Sequence, residues 1–531
     1  MTILIFLIVG YILLSYGLTL LFPKADVDGS KGWIPGLNFG IWAELVGRKK
    51  NYAWWMLFPI VNIFIYAGLA VDLVRSFGKY SFLDSFLAVI AGPLYFIYLG
   101  RKEDTQYVGK TLELEAAYNE KLQAAKEAGK TREYERLKNR NPYKKTVLRE
   151  NFESLVFAVF AAAFIRMFLI EAYTIPTSSM EDSLMVGDYL FVSKVHYGMR
   201  TPMTVLQVPL LHNRVPFLNT ESYLENPSLP YFRFPALESL DRNEPVVFNW
   251  PVGDSVFVLP SRTVDIGQAR RSGQLQQYQR QYEFITRPLD KTDFYVKRCI
   301  AVAGDTLEIR DRQVYINGEA AKNPAGLQYI YVVRFNGPPV NTAKFTEWLI
   351  SKEDVRQFTN EGMVVVLTNK QKERLQSMLP NATFEVADLT KNPVPPDHFF
   401  PHDPENFGGW DYDNFGPLYI PKKGATVELS PENIAPYERI ISVYEDNQLE
   451  IKGDDIYING ERTNSYTFQQ DYYWMMGDNR HNSEDSRIWG YVPETHIVGK
   501  PLFIFFSTVE GSLGNGIRWD RIFKSAVSSV D

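Results

Sequence analysis

The sequence predicts a multi-span α-helical membrane anchor joined to a mostly-β extracytoplasmic domain with large insertions. Three observations predict it. The long apolar runs of this 531-residue chain lie before residue 175, and runs of that length point to helices that cross a bilayer. After Val192 the chain changes to short apolar stretches bounded by Gly, Pro, Asn and Asp, the pattern of strands and turns. The last apolar run, residues 155–172, ends directly in Tyr173-Thr174-Ile175-Pro176-Thr177-Ser178-Ser179-Met180-Glu181-Asp182-Ser183-Leu184. A cluster of hydroxyls at the exit of a span points to a serine held at the bilayer surface.

The bulk numbers bound the answer. The length implies two or three units. A net charge of -6 gives no support for nucleic-acid binding. One cysteine, Cys299, rules out an intramolecular disulfide.

Residues 1–22 are almost wholly apolar. They have no basic leading region and no small-x-small cleavage site, so they read as an uncleaved span. Further runs cover residues 52–74 and 82–99. Asp72 and Asp84 sit near their ends, where a charge reaches the interface at modest cost. Pro59 and Pro93 are expected to kink them. Arg166 and Glu171, in or near the fourth run, read as snorkelling side chains. Arg48-Lys49-Lys50, Arg101-Lys102 and Lys144-Lys145 belong in the cytoplasm; four spans then put both termini outside. The expected division is a membrane domain with three spans at 1–100, a cytoplasmic charged helical segment at 101–150, a fourth span at 151–174, and an extracytoplasmic β-rich domain at 175–531. Glu, Lys, Ala and Leu at helical spacing over residues 103–140 predict a solvated helix, or two broken at Gly129.

In the β-rich part, Val246-Val247-Phe248-Asn249-Trp250 predicts a short strand. Residues 293–305 predict a strand closed by a turn, and residues 306–318 a pair of strands around Asp311-Arg312. Val314-Tyr315-Ile316-Asn317-Gly318-Glu319 is echoed by Ile456-Tyr457-Ile458-Asn459-Gly460-Glu461, either as a duplicated hairpin or as two uses of a common turn signal. Stretches of irregular composition at about 200–290 and 325–430 read as insertions. The second holds His398, His402, Asp403, Asp411 and Asp413, whose spacing matches no standard metal-ligand pattern.

Three further segments carry residues that a bland strand does not need. Gly187-Asp188-x-x-x-Val192 follows the serines. Lys297-Arg298 lies in an otherwise apolar strand. Gly477-Asp478-Asn479-Arg480-His481-Asn482-Ser483-Glu484-Asp485-Ser486-Arg487-Ile488-Trp489-Gly490 is dense in turn residues and charge. With these four segments in this order, the fourth span and the β core resemble the type I (leader) signal peptidases, Ser-Lys serine proteases of signal-peptidase-like β fold. The resemblance leaves out the first three spans and the two insertions.

The resemblance implies catalytic roles for Ser179 as nucleophile and Lys297 as general base. It implies an oxyanion hole from the Ser179 N–H and the Thr177 hydroxyl. Ser483 would orient the lysine, and Asp478, Arg480, Asp485 and Arg487 would hold the last box together. No metal or cofactor is implied. The physics fits: a serine hydroxyl needs a neighbour to remove its proton, and a lysine does so only when neutral. Its ordinary pKa of about 10.4 must fall to roughly 7–8, a shift within the ~3–5 units that burial supplies. Tyr295, Val296, Cys299 and Ile300 offer apolar surroundings.

Departures from the family pattern are Asp182-Ser183 in place of Pro-Thr, Thr177 in place of Ser, and Ala303 in place of Pro. Ser178 and Ser183 are rival nucleophiles by proximity, but only Ser179 precedes Met180. Cys299 reads as a packed strand residue, and His481 is given no catalytic role. The implied activity is signal-peptide removal from secretory preproteins after small-x-small motifs. The implied place is the bacterial cytoplasmic (inner) membrane, multi-pass, with the catalytic domain on the extracytoplasmic side. The lipid bilayer and proximity to the protein export machinery follow as partners. The alternatives are a non-catalytic membrane scaffold and a Ser-Lys protease with one dedicated substrate, or one cleaving itself.

Overall fold

The computed structural model describes residues 2–57, 61–215, 218, 220–260, 262–335, 345, 348–351, 354–359, 361–389, 395 and 397–527. The chain forms two compact units, Met1–Phe164 and Ile165–Asp531.

The first unit is helical: α1 (Thr2–Leu21), α2 (Leu37–Leu45), α3 (Val61–Ser76), α4 (Phe82–Ile90), α5 (Gly92–Arg101), α6 (Thr111–Glu127), α7 (Thr131–Asn139) and α8 (Val147–Phe168), the last running into the second unit. Glycines let α1 and α5 approach closely: a Cβ on Gly100 would lie 2.4 Å from that of Leu20. Trp42 is fully buried here, with Phe96 edge-on at 5.4 Å and its indole N–H on the Leu69 carbonyl at 3.0 Å.

By length and composition two helices suit a membrane crossing, near the N-terminus and at Val147–Phe168, or up to three if a bent pair counts as one. Among the described residues, those within 1–100 that suit a crossing are the N-terminal helix and the bent pair. The 52–74 run is split between a 3₁₀ segment, Lys50–Leu57, and the 16-residue α3; Pro59, the expected kink, lies outside the described residues. The 82–99 run becomes α4 and α5, bent by 119°. Pro93 in the first turn of α5 fits a helix start rather than an interior. Asp84 closes a capping box with Ser81 at the head of α4. Asp72 is buried and ion-paired to Arg48 at 2.7 Å. Gly129, at φ +67, separates α6 from α7.

The expected fourth span, 151–174, stops being a helix at Phe168. Its end, Ile170–Thr174, is strand β1 of the second unit. Glu171 is buried between Arg166 at 2.6 Å and Lys194 at 2.7 Å, so ion pairing replaces the expected snorkelling.

The second unit is built on a seven-stranded sheet. Its strands are β1, β2 (Asp188–Ser193), β3 (Pro245–Asn249), β4 (Phe294–Ala301), β5 (Tyr472–Met476), β6 (Val492–Pro493) and β7 (Ile497–Ser507). The order is β1-β2-β7-β3-β4-β5-β6, with antiparallel neighbours throughout. The 200–290 stretch is thus not one insertion, because β3 lies inside it. A hairpin (Thr204–Gln207 with Tyr223–Ser228) precedes β3 and a three-stranded sheet follows. The 325–430 stretch holds a four-stranded sheet, order Val355–Phe358, Gly362–Thr368, Gln328–Arg334, Thr383–Val386. With the helix Asn369–Met378 it encloses its own core of Tyr331, Val333, Met363, Val365, Leu367 and Leu375. The end of that stretch, Phe415–Tyr419, returns to pair with Thr306–Arg310. The two echoed motifs are both Asn-Gly hairpins, with Asn317 and Asn459 at φ +54 and +55.

The turn between β1 and β2 is fixed from below. Gly187 has φ +90, and a Cβ there would meet the Thr508 carbonyl at 2.3 Å. Asp188 is wholly buried, takes Arg521 through both carboxylate oxygens (2.7 Å at the shorter), and accepts from Ser507 Oγ at 2.6 Å. Breaking one side of a buried pair leaves a charge uncompensated, so Asp188→Ala is expected to lower unfolding free energy by about 3–5 kcal/mol. Denaturant unfolding of detergent-solubilised protein checks this; a change under about 1 kcal/mol would contradict the assigned role.

Candidate active site

Ser179 lies in a short 3₁₀ turn, Ser178–Met180, that follows β1. Ile175, Met180 and Leu184 anchor the turn in one apolar cluster with Leu190, Val192 and Val247. The first N–H groups of such a turn have no partner within it, and the Thr177 side chain does not cap them.

Strand β4 brings the lysine. Successive strand side chains leave on opposite faces, and here Lys297 reaches Ser179 while Arg298 reaches Asp478. Lys297 Nζ lies 2.5 Å from Ser179 Oγ, and the lysine is 2% exposed. Burial pushes its ammonium down from 10.5 to about 8, with Asp485 and Glu484 pulling the other way. An amine near neutrality at this distance can accept the hydroxyl proton.

The neighbouring serines are engaged elsewhere. Ser178 Oγ accepts from Asn482 Nδ2 at 3.0 Å. Ser183 Oγ donates to Asp478 Oδ2 at 2.6 Å and accepts from Arg298 Nη2 at 3.3 Å. Asp182 has φ +70, a conformation closed to proline. Burial raises its carboxyl pKa, Arg521 opposes, and Asp478 adds to the rise. Burial likewise lifts Glu181 to about 7, with the Asp354 carboxylate contributing.

The last box clamps this turn. Asn479 donates its backbone N–H to the Ser179 carbonyl at 3.1 Å and its amide to the Ser178 carbonyl at 3.3 Å. Asp478 takes Arg298 through two bonds, 2.7 and 2.6 Å, with both side chains at most 1% exposed. Asp485 and Arg487 form a second buried pair at 2.9 and 2.7 Å, and Asp485 also accepts from the Gly477 N–H. Although burial opposes it, Arg487 holds the Asp485 carboxyl below its ordinary value. Arg480 is buried and tied through its backbone, its N–H on Gln328 and its carbonyl under Arg487. Its Nε makes no hydrogen bond among the described residues.

One expected contact differs. Ser483 is buried near Ser179, but its hydroxyl meets the Glu484 carbonyl at 3.4 Å rather than Lys297. Thr177 is exposed at the turn's entrance. Asn479, Asn482 and Gln328 were not singled out by sequence reasoning. Asn479 and Asn482 stand inside the quoted last box, whereas nothing in the chain marks Gln328, whose N–H meets the Asp478 carbonyl.

The signal peptidase family, peptidase S26, matches residues 148–423 and 460–506. A family of unknown function matches residues 30–110. The chain is 24% identical over 376 residues to Signal peptidase I of Haemophilus influenzae, covering 70% of this chain and 74% of that one. It is 22% identical over 374 residues to that of Helicobacter pylori, covering 67% and 86%. A 52-residue segment is 54% identical to that of Buchnera aphidicola subsp. Acyrthosiphon pisum, 9% of this chain and 17% of the other.

Gly477 lies where a Cβ would meet Ser483 Oγ at 2.3 Å and the Ser179 carbonyl at 2.6 Å. Gly477→Ala should push the Ser179 turn from Lys297 and, if the two react together, lower kcat by about 100-fold or more in a folded protein, since ~1 Å of misplacement can cost that much. Cleavage kinetics on material with an unchanged circular dichroism spectrum check this; activity within about threefold of the parent would contradict the close approach.

Proposed function

This chain belongs to the signal peptidases of family S26, which are serine peptidases, and on that premise we propose that it cuts signal peptides from secretory preproteins by a Ser179–Lys297 dyad. The observation that carries the reading is the 2.5 Å contact between a buried lysine amine and one of two adjacent serines.

Neutral Lys297 takes the Ser179 proton as Oγ attacks the scissile carbonyl. The Ser179 N–H and the Thr177 hydroxyl stabilise the oxyanion, each such donor being worth about 2.7–4 kcal/mol. Lys297 then protonates the leaving amine, which departs as the mature protein's new N-terminus. The signal peptide remains as an ester on Ser179 until water, deprotonated by Lys297, releases it as a carboxylate. Ser483 orients Lys297 once its hydroxyl turns from the long Glu484 contact. Cleavage follows small-x-small motifs, with the substrate extended along a strand edge.

The anchor is multi-pass in this reading. α1 and α8 cross the bilayer, and the bent α4–α5 pair enters and returns on one side. An even number of crossings keeps Arg48-Lys49-Lys50, Arg101-Lys102 and Lys144-Lys145 in the cytoplasm and the catalytic unit outside, against the lipid and near the export machinery. A dedicated-substrate enzyme would share this chemistry and differ only in how many precursors accumulate on depletion.

The test is cleavage of a purified preprotein in detergent. Wild type should cut after small-x-small, while Ser179→Ala and Lys297→Ala, folded, should lose activity by about 10⁴-fold or more. Residual cutting by Ser179→Ala would move the nucleophile elsewhere. Because Lys297 acts unprotonated, kcat/KM should rise with pH and level off above about 8. A profile flat from pH 6 to 9 would contradict a lysine base.

A further inference from the structure

A cleft of about 720 Å³ has as one wall His481, from the loop that clamps the Ser179 turn, and takes no part in the chemistry described above. Its walls come from the Asp311-Arg312 turn, the inserted sheet, Phe399, the 404–414 loop and His481 of the last box. Its size is that of a specific ligand site, roughly 300–1,000 Å³. We infer that this cleft is an exosite for the mature segment of the preprotein, and that it prefers a segment carrying a basic side chain beside apolar ones. The inference rests on the signal-peptidase reading and deepens it.

The lining states the chemistry. Phe399, Trp410 and Tyr412 supply aromatic surface, with Phe399 and Tyr412 edge-on at 4.9 Å. Three carboxylates, Asp311, Asp411 and Asp413, and two guanidiniums, Arg312 and Arg356, line it. Arg312 is drawn off by Asp413 at 3.4 Å. Asp411 uses Oδ1 alone to hold the Asp413 and Asn414 N–H groups, each at 2.7 Å. Carboxylate beside an aromatic ring suits a Lys or Arg head with its apolar stem.

The position states the occupant. His481 is 7% exposed and bonds Asp413 at 2.7 Å, while its Nδ1 has no partner among the described residues. It stands in the same loop as Asn479 and Asn482, which grip Ser178 and Ser179. The cleft wall and the nucleophile clamp are therefore one loop. A substrate extended past Ser179 advances ~3.3–3.6 Å per residue, and in this inference its half beyond the cut is the one that meets this wall.

The experiment compares two substrates: a short peptide ending just beyond the cut, and a full preprotein with Lys or with Glu in its early mature region. Each is assayed with wild type, Trp410→Ala and Asp411→Asn in the full chain. Binding lost equally from ground and transition state raises KM alone. The expected result is a KM for the Lys preprotein raised about five- to tenfold in both variants, with kcat and short-peptide kinetics within about twofold. The Glu preprotein should bind wild type more weakly than the Lys form and respond less to Asp411→Asn. Equal effects on short and long substrates, or none on either, would overturn the exosite. Loss of wild-type cleavage of both substrates would instead sink the signal-peptidase reading. Trp410 packs on Phe415 at 4.4 Å, so Asp411→Asn keeps the test decisive if Trp410→Ala unfolds.

Discussion

The removal of water from one amine is the constraint on which the catalytic unit turns. Lys297 is 2% exposed and touches Ser179 Oγ. Left in solvent, its ammonium would hold its proton through the physiological range. The surrounding carboxylates threaten this arrangement, because an unpaired Asp485 or Glu484 nearby restores the charged form. The structure answers by occupying Asp485 with Arg487 and with the Gly477 N–H. Asp478 is likewise occupied by Arg298 and Ser183. Buried ion pairs are weak evidence for stability as such; here their effect is to keep negative charge from the amine while fixing the loop that carries it.

That loop is the meeting point of distant sequence. Arg298 and Asp478 are 180 residues apart, and Asn482 and Ser178 are 304 apart. Between them the chain builds a separate inserted sheet with its own core. The insertion stays coupled to the site, because the Gln328 N–H and carbonyl bond Asp478 and Arg480 where that sheet begins. The same segment thus joins the loop that clamps the Ser179 turn on one side and an open cleft on the other.

Much of the site was legible because its residues sit in contiguous boxes with abnormal charge for their surroundings. Strands at 245–249 and 294–301 were legible from apolar runs closed by turns. Other features were hidden for physical reasons. Hydropathy does not separate the end of an apolar helix from an apolar strand, so Ile170–Thr174 read as membrane although it pairs with β2. A run such as 82–99 has the composition of a span, yet Pro93 at a helix start lets it fold back on itself. Asp182 stands as a departure from the family pattern in the sequence. Its φ of +70 makes it a local solution that a proline would not permit. The Ser483 hydroxyl shows the opposite limit, since a motif names a residue but not the rotamer it adopts.

The central claim is that the group titrating in catalysis is Lys297 itself. The most direct measurement replaces it chemically: Lys297→Cys, in a Cys299→Ser background, is alkylated with bromoethylamine to a thia-lysine whose amine is more acidic than lysine's. The account predicts that alkylation restores cleavage and that the acid limb of kcat/KM moves to lower pH than in the parent. Restored cleavage with the limb unmoved would mean that another group titrates, and would contradict Lys297 as the base.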